Sequence, residues 1–152
     1  MPYNVKIFWK KKTEEIFTDK KYSRAHIWTF DCGIELPTSS SPHVVPHPFS
    51  DDNAVDPEEA FVASVSSCHM LSFLPIAADN NFIVESYEDN AEGVLTKNKE
   101  GILSMTKITL RPKILFSGDN IPTREQLDEL HHQAHEDCFI ANSVKTKISI
   151  VI

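Results

Sequence analysis

The 152-residue sequence lacks the features of several protein classes. No apolar run comes close to the roughly 18 residues that a membrane-spanning helix needs, and the first residues lack the apolar segment of a signal peptide. Basic residues are few, 15 against 22 acidic ones, and the net charge of −7 argues against a nucleic-acid or anionic-membrane partner. We therefore expect a cytoplasmic, folded protein that forms one domain over residues 1–152.

Cysteine occurs at only three positions, Cys32, Cys68 and Cys138. Thiols are reduced at rest in the cytoplasm, so pairing among them would indicate redox or metal chemistry rather than a structural disulfide. A buried cysteine on its own is most often an inert, small apolar residue. That interpretation is retained for Cys32, which lies near the end of a predicted strand.

Alternating apolar and polar residues predict short strands within residues 3–31 and a hairpin near residues 97–101. They also predict one strand that extends to Phe116 and a final strand that follows Val144. Four prolines and three consecutive serines predict an irregular but ordered loop over residues 37–56. This order of elements predicts an α+β fold with an antiparallel sheet.

The first predicted helix has a clear start and an unusual composition. Asp56 can cap it, Pro57 suits its first position, and Glu58 suits the positive end of the helix dipole. It runs to about Asp79, with a kink expected at Pro75, and it is apolar on nearly every side, which predicts burial on every side. One sheet and one helix cannot cover it completely, so the pattern favours a homodimer.

The second predicted helix begins with a capping box at Thr123 and runs to about Asp137. His131, His135 and Cys138 follow at intervals of four and three residues, which brings them to one face. Imidazole and thiolate are zinc ligands, so a metal-binding protein is one alternative. The other interpretation of this face is a solvated helix surface.

Three segments of the sequence resemble the OsmC/Ohr family of thiol peroxidases. They are DPEEAF at residues 56–61, SCH at residues 67–69 and EDCFIANS at residues 136–143. Cys68 follows Glu58 by ten residues, as in that family, and precedes Cys138 by seventy. The resemblance implies an OsmC-like fold, in which an antiparallel sheet wraps around a buried central helix in an intertwined homodimer. It also implies reduction of organic hydroperoxides, in some members of hydrogen peroxide.

The resemblance also implies roles for four residues. Cys68 would attack the hydroperoxide as a thiolate, and Cys138 would condense with the resulting sulfenic acid to form a disulfide. Arg24 would stabilise the thiolate and the departing alkoxide, and Glu58 would hold its guanidinium in a charge-assisted fork. A lipoyl-type or other small dithiol would then reduce the disulfide, and no cofactor or metal is implied.

The residues themselves leave alternatives open. Arg24 could be an exposed turn residue, and Glu58 could simply be an acid in the first helical turn. Ten residues of helix span about 15 Å, so Glu58 and Cys68 share a site only if the helix is broken or if Glu58 serves the other subunit. A non-catalytic dimer that binds an apolar ligand also fits so apolar a helix.

Apolar side chains expected near Cys68 favour an apolar hydroperoxide over a small hydrophilic one. These side chains are Phe61, Leu71, Phe73 and Phe139. His69 is a weak candidate for a base, because adjacent helical residues point about 100° apart.

Overall fold

The computed structural model describes residues 1–152 and divides into two compact units, residues 1–60 and residues 61–152. Helix α1 begins in the first unit and continues into the second. The expectation of one domain over the whole chain stays a prediction.

The first unit contains a three-stranded antiparallel sheet. Its strands are β1 (Val5–Phe8), β2 (His26–Phe30) and β3 (Glu35–Thr38), in the order β1–β2–β3. In the central strand, Trp28 pairs with Ile7 on one side and with Leu36 on the other. The short strands predicted within residues 3–31 are therefore confirmed, and β3 takes the first two residues of the predicted loop.

The proline-rich loop after β3 is fixed by its own polar groups. Ser39 and Ser50 are buried, and the hydroxyl of Ser39 accepts the N–H of Asp51 at 3.2 Å. The backbone N–H of Arg24 donates to the carbonyl of Phe49 at 3.0 Å, which ties the loop to the segment before β2. These contacts agree with the expectation of an ordered loop.

Helix α1 (Pro57–Asp79) begins where the sequence predicts. The carboxylate of Asp56 accepts the N–H of Glu59 at 2.7 Å, and the Glu59 carboxylate accepts the N–H of Asp56 at 3.4 Å. This reciprocal pair satisfies two backbone donors that a helix start leaves free. The helix continues through Pro75 without ending.

Only one row of α1 is fully buried within the chain. It consists of Val65, His69, Phe73 and Ala77, spaced four residues apart. Leu71 is 63% exposed, so a single chain leaves part of α1 uncovered, and the predicted burial on every side requires a second copy of the chain. By length and composition α1 could also span a membrane, which corrects the expectation that no apolar stretch is long enough.

The second unit contains two sheets. One pairs β4 (Ile83–Asp89) with β7 (Pro112–Ser117), and the other has the order β5–β6–β8, with β5 (Glu92–Lys97), β6 (Leu103–Leu110) and β8 (Lys147–Ile150). The predicted hairpin is confirmed as the β5–β6 turn. Two predictions need correction. β6 and β8 are parallel, and the strand expected to reach Phe116 is divided at Arg111, whose N–H donates to Asp89 at 2.6 Å.

Helix α2 (Arg124–Asp137) begins at the predicted capping box of Thr123 and Gln126 and is followed by the short α3 (Phe139–Asn142). Apolar residues of α1, α2, β4 and β7 form one core cluster, and those of α1, β6, α3 and β8 form another. Strand β5 lies so close to α1 that a Cβ at Gly93 would be 2.5 Å from the Val62 side chain. The core of this unit is therefore built along α1.

Candidate active site

Cys68 and Cys138 are brought together in the second unit. Cys68 lies within α1, half-buried, and Cys138 lies where α2 ends and α3 begins, with 1% of its surface exposed. Cys138 lies close enough to Cys68 for that thiol to raise the pKa of the Cys138 thiol, and neither cysteine is in a disulfide. Two cysteines that are seventy residues apart in the sequence thus lie close together in the folded chain.

The surroundings of Cys138 keep its thiol protonated at neutral pH. Burial raises the pKa of the Cys138 thiol to about 11, and the neighbouring Cys68 thiol adds to this rise. The N–H of Ala141 opposes this rise, since it donates to the Cys138 sulfur at 3.4 Å. Cys138 therefore attacks another sulfur only when its proton is removed during the reaction.

Cys32 does not take part in this arrangement. It is an exposed, free thiol at the turn after β2. It belongs to the first unit, whereas Cys68 and Cys138 belong to the second.

Arg24 and Glu58 line one cavity of about 510 Å³ in the first unit. Trp9, Phe17 and Tyr22 supply much of its apolar wall, and their rings pack against one another with centroids 4.9 to 5.9 Å apart. The cavity therefore combines an aromatic wall with one cation and one carboxylate.

The guanidinium of Arg24 is held by its own turn. Its Nη1 donates to the carbonyl of Lys20 at 2.8 Å and also to the carbonyl of Tyr22, and its Cζ lies 3.9 Å from the centre of the Tyr22 ring. The fork with Glu58 expected from the resemblance is not formed within one chain. Local carbonyl acceptors and the aromatic face satisfy the guanidinium instead.

The two other arginines already have carboxylate partners. Arg111 Nη2 lies 2.7 Å from Glu92, and Arg124 Nε lies 3.2 Å from Asp128 one helical turn along α2. Both pairs are exposed, so these two arginines are surface charges. Arg24 is the arginine that has no carboxylate partner.

Helix α1 is unbroken between Glu58 and Cys68. At 1.5 Å per residue, these two positions are separated by about 15 Å along the helix axis. The sequence left open whether the helix is broken between Glu58 and Cys68 or whether Glu58 serves the other subunit. The broken helix is therefore excluded.

Sequence reasoning missed a pair of buried histidines. Nε2 of His69 lies 2.9 Å from Nδ1 of His131, and 1% and 2% of these side chains are exposed. Burial lowers the pKa of both rings to about 4, so the pair is neutral at pH 7. The signal in the sequence was the position of His131 on the same helix face as Cys138, a pattern that was interpreted as a possible metal site.

The metal-binding alternative is not supported by the side-chain positions. His131, His135 and Cys138 do not form a cluster that could hold a metal ion, and no other such cluster exists in the chain. His131 directs Nδ1 to His69, and Cys138 accepts the N–H of Ala141 and lies close to Cys68. Phe73, expected near the substrate, instead belongs to the core and stacks on His131 with ring centroids 4.5 Å apart.

Comparison with known proteins identifies the family. A family model described as OsmC-like protein matches residues 50–152, which is more than half of the chain. The chain therefore belongs to the OsmC-like family, as its sequence motifs indicate. No curated protein matches it.

Solved structures of the family share the fold. An OsmC-like protein of unknown function from Vibrio cholerae is 55% identical with a TM-score of 0.98, over 100% of this chain and 99% of that one. An organic hydroperoxide resistance protein from Legionella pneumophila is 18% identical, with a TM-score of 0.69 over 100% and 98% of the two chains. OhrB of Bacillus subtilis is also 18% identical, with a TM-score of 0.65 over 99% and 98%. The predicted family and α+β fold are thereby confirmed.

Proposed function

We propose that this protein is a thiol-dependent peroxidase that reduces organic hydroperoxides through a Cys68–Cys138 disulfide. The observation that carries the proposal is that these two thiols lie close together inside a protein of the OsmC-like family. Two structural relatives named as organic hydroperoxide resistance proteins support the same class of chemistry. Reduced thiols at rest fit the predicted cytoplasmic location.

The proposed reaction has three steps. The Cys68 thiolate attacks one oxygen of the hydroperoxide, so that an S–O bond forms, the O–O bond breaks, and the departing alkoxide takes up a proton to become an alcohol. The Cys138 sulfur then attacks the Cys68 sulfenic acid, an S–S bond forms, and hydroxide leaves with the Cys138 proton as water. A small dithiol, lipoyl-type or similar, reduces the disulfide by thiol–disulfide exchange and is itself oxidised.

The proposed site also uses Arg24 and Glu58. Because α1 is unbroken between Glu58 and Cys68, we assign this pair to the Cys68 of the other subunit in a homodimer. There the cation would stabilise the thiolate and the alkoxide leaving group, and the Glu58 carboxylate would orient it. The aromatic wall of the cavity that both residues line suits an apolar hydroperoxide.

Exposed apolar residues support the dimer. Val5, Ile7 and Phe8 of β1 are each more than half exposed, as is Leu71 of α1. Phe139, which directly follows Cys138, is 83% exposed. Large apolar side chains exposed in groups are typical of protein interfaces, so a second copy of the chain is the proposed cover.

A second candidate function is binding of an apolar ligand without catalysis. The cavity in the first unit favours it, because its volume and its aromatic wall suit a small apolar molecule. In that case Cys68 and Cys138 would have no part in the activity.

Peroxide consumption in the presence of a dithiol distinguishes the two functions. The parent protein should consume an alkyl hydroperoxide over many turnovers, and Cys68→Ser should abolish the reaction. Cys138→Ser should allow peroxide attack but form no intramolecular disulfide, and Cys32→Ser should leave the rate unchanged because Cys32 is exposed and unpaired. A Cys68→Ser variant as active as the parent would overturn the peroxidase proposal.

A further inference from the structure

The buried histidine pair joins the same two helices that carry the thiols. His69 directly follows Cys68 on α1, and His131 lies seven residues, about two turns, before Cys138 on α2. The two helices are therefore connected by one hydrogen bond between rings, and they bring Cys138 close to Cys68.

The hydrogen bond is the directional part of this helix contact. The rest of the α1–α2 packing is apolar and includes Phe73, Ala77, Leu130 and Ala134. Apolar contacts depend on buried area rather than on direction, so they tolerate small shifts of one helix along the other. A ring-to-ring hydrogen bond of 2.9 Å does not tolerate such shifts, because it weakens as its angle and distance change.

The pair also leaves polar atoms unpaired in the interior. Nδ1 of His69 and Nε2 of His131 are buried without a hydrogen-bond partner. Phe73 stacks on the His131 ring, so the site could accept an apolar ring at that position. The unpaired nitrogens of the two histidines cost stability, which indicates that the pair has a role other than packing.

Charged and titratable groups surround the pair on two elements. His135 of α2 and Asp89 of β4 act on His69, and Asp128 of α2 acts on His131. The hydroxyl of Tyr87 on β4 is also buried without a partner. Despite these groups, burial dominates and keeps both rings neutral near pH 7, so one ring donates and the other accepts.

We propose that His69 and His131 form a positioning pair that keeps α1 and α2 in the register in which Cys138 reaches Cys68, and that the pair thereby sets the rate of disulfide closure. This inference deepens the proposed function and acts on its second step, in which the S–O bond of the sulfenic acid breaks, the S–S bond forms and water leaves. Neither histidine forms a hydrogen bond with either sulfur, and the pair acts through the helices.

The test measures closure without relying on peroxide. In a Cys32→Ser background, Cys68 is converted to its mixed disulfide with thionitrobenzoate, and release of the coloured thiol reports attack by Cys138. His131→Phe should slow this release at least tenfold. His131→Asn should restore it to within about threefold of the parent, since its amide can occupy the position of Nδ1. Sulfenic acid formation from an alkyl hydroperoxide should change less than threefold in both variants.

Leu130→Ala is the matched control, because it weakens the same helix contact without removing the hydrogen bond. If it slows closure as much as His131→Phe, or if His131→Asn closes no faster than His131→Phe, the positioning role is wrong. His131→Met replaces His131→Phe if the latter does not fold. Closure that depends on the pair in a protein that consumes no peroxide would refute the proposed function and leave the positioning role standing.

Discussion

The Cys138 thiol lies close to Cys68, although seventy residues separate the two positions in the sequence. The two thiols lie close together because Cys138 is placed at the end of α2, while Cys68 lies inside α1, and the two helices share a core cluster. Both thiols are free, so the structure corresponds to the reduced form of the pair.

A stoichiometric pulse of alkyl hydroperoxide should therefore form one disulfide, between Cys68 and Cys138, and leave Cys32 free. Peptide mapping by mass spectrometry after alkylation of the remaining thiols identifies the pairing. Cys32 is expected to be alkylated completely because it is exposed at a turn. A bridge that includes Cys32 would contradict the assignment of the three cysteines.

The sequence was sufficient for the parts of the fold that depend on local signals. The helix cap at Asp56, the capping box at Thr123 and the hairpin after β5 follow from short-range chemistry, and all three are present. The division of the long strand at Arg111 was not predictable, because apolar alternation continues through it while the backbone changes sheets.

The site was predicted less completely than the fold. The resemblance to family motifs suggested both cysteines as site residues. His69 was judged a weak candidate for a base, because it and its neighbour Cys68 point in different directions around the helix. Its partner His131 is sixty-two residues away, and no periodicity within one helix indicates a contact between two helices. Such pairings depend on the helix crossing, which is a property of the tertiary structure.

The protein should sediment as a homodimer at micromolar concentration, with about twice the chain mass of 17.2 kDa. The reason is the exposure of apolar residues on β1, on α1 and at Phe139 in the single chain. Sedimentation velocity at several concentrations measures the mass. A folded monomer under these conditions would remove the cross-subunit role of Glu58.

Gly93→Ala should lower the free energy of unfolding by about 1–3 kcal/mol, because the new methyl group would meet the side chains of Val62 and Met105. The distances from an added Cβ are 2.5 Å to Val62 Cγ2 and 2.7 Å to Met105 Sδ. Chemical denaturation measures the effect. Adding Val62→Ala should recover part of the loss, whereas simple additivity of the two changes would show that they do not interact.

The stability of the protein should fall as the pH decreases from about 6.5 to about 4. The folded-state pKa values of His69 and His131 are near 4, below the ordinary value of 6.5, so the unfolded chain binds more protons in this window. Each unit of pKa difference corresponds to about 1.4 kcal/mol. Denaturation curves at several pH values measure the slope.

His131→Asn removes one of these two groups and should make the pH dependence shallower. His132→Asn is the control, because His132 is adjacent but exposed on α2. Equal slopes in the parent and in His131→Asn would show that the buried pair does not determine acid sensitivity.

Arg24→Ala should lower the rate constant of hydroperoxide attack at least a hundredfold, while the fold and the dimer survive. Losing the positive charge at the departing oxygen costs about 2–4 kcal/mol of transition-state stabilisation. Arg24→Lys should recover only part of the rate, since an ammonium group cannot form a bidentate fork with Glu58. Stopped-flow kinetics under single-turnover conditions measures the rate constant.

Arg111→Ala and Arg124→Ala are the controls for this substitution, because each removes an arginine that already pairs with a surface carboxylate. Both variants should react with hydroperoxide at rates within a few-fold of the parent. Loss of an exposed ion pair should leave the fold intact, because such pairs contribute little to stability. If Arg24→Ala reacts as fast as the parent and Arg111→Ala does not, the cation comes from the segment between β6 and β7. The active site would then have to be assigned to residues around Arg111, and the cavity that Arg24 lines would be left to the ligand-binding alternative.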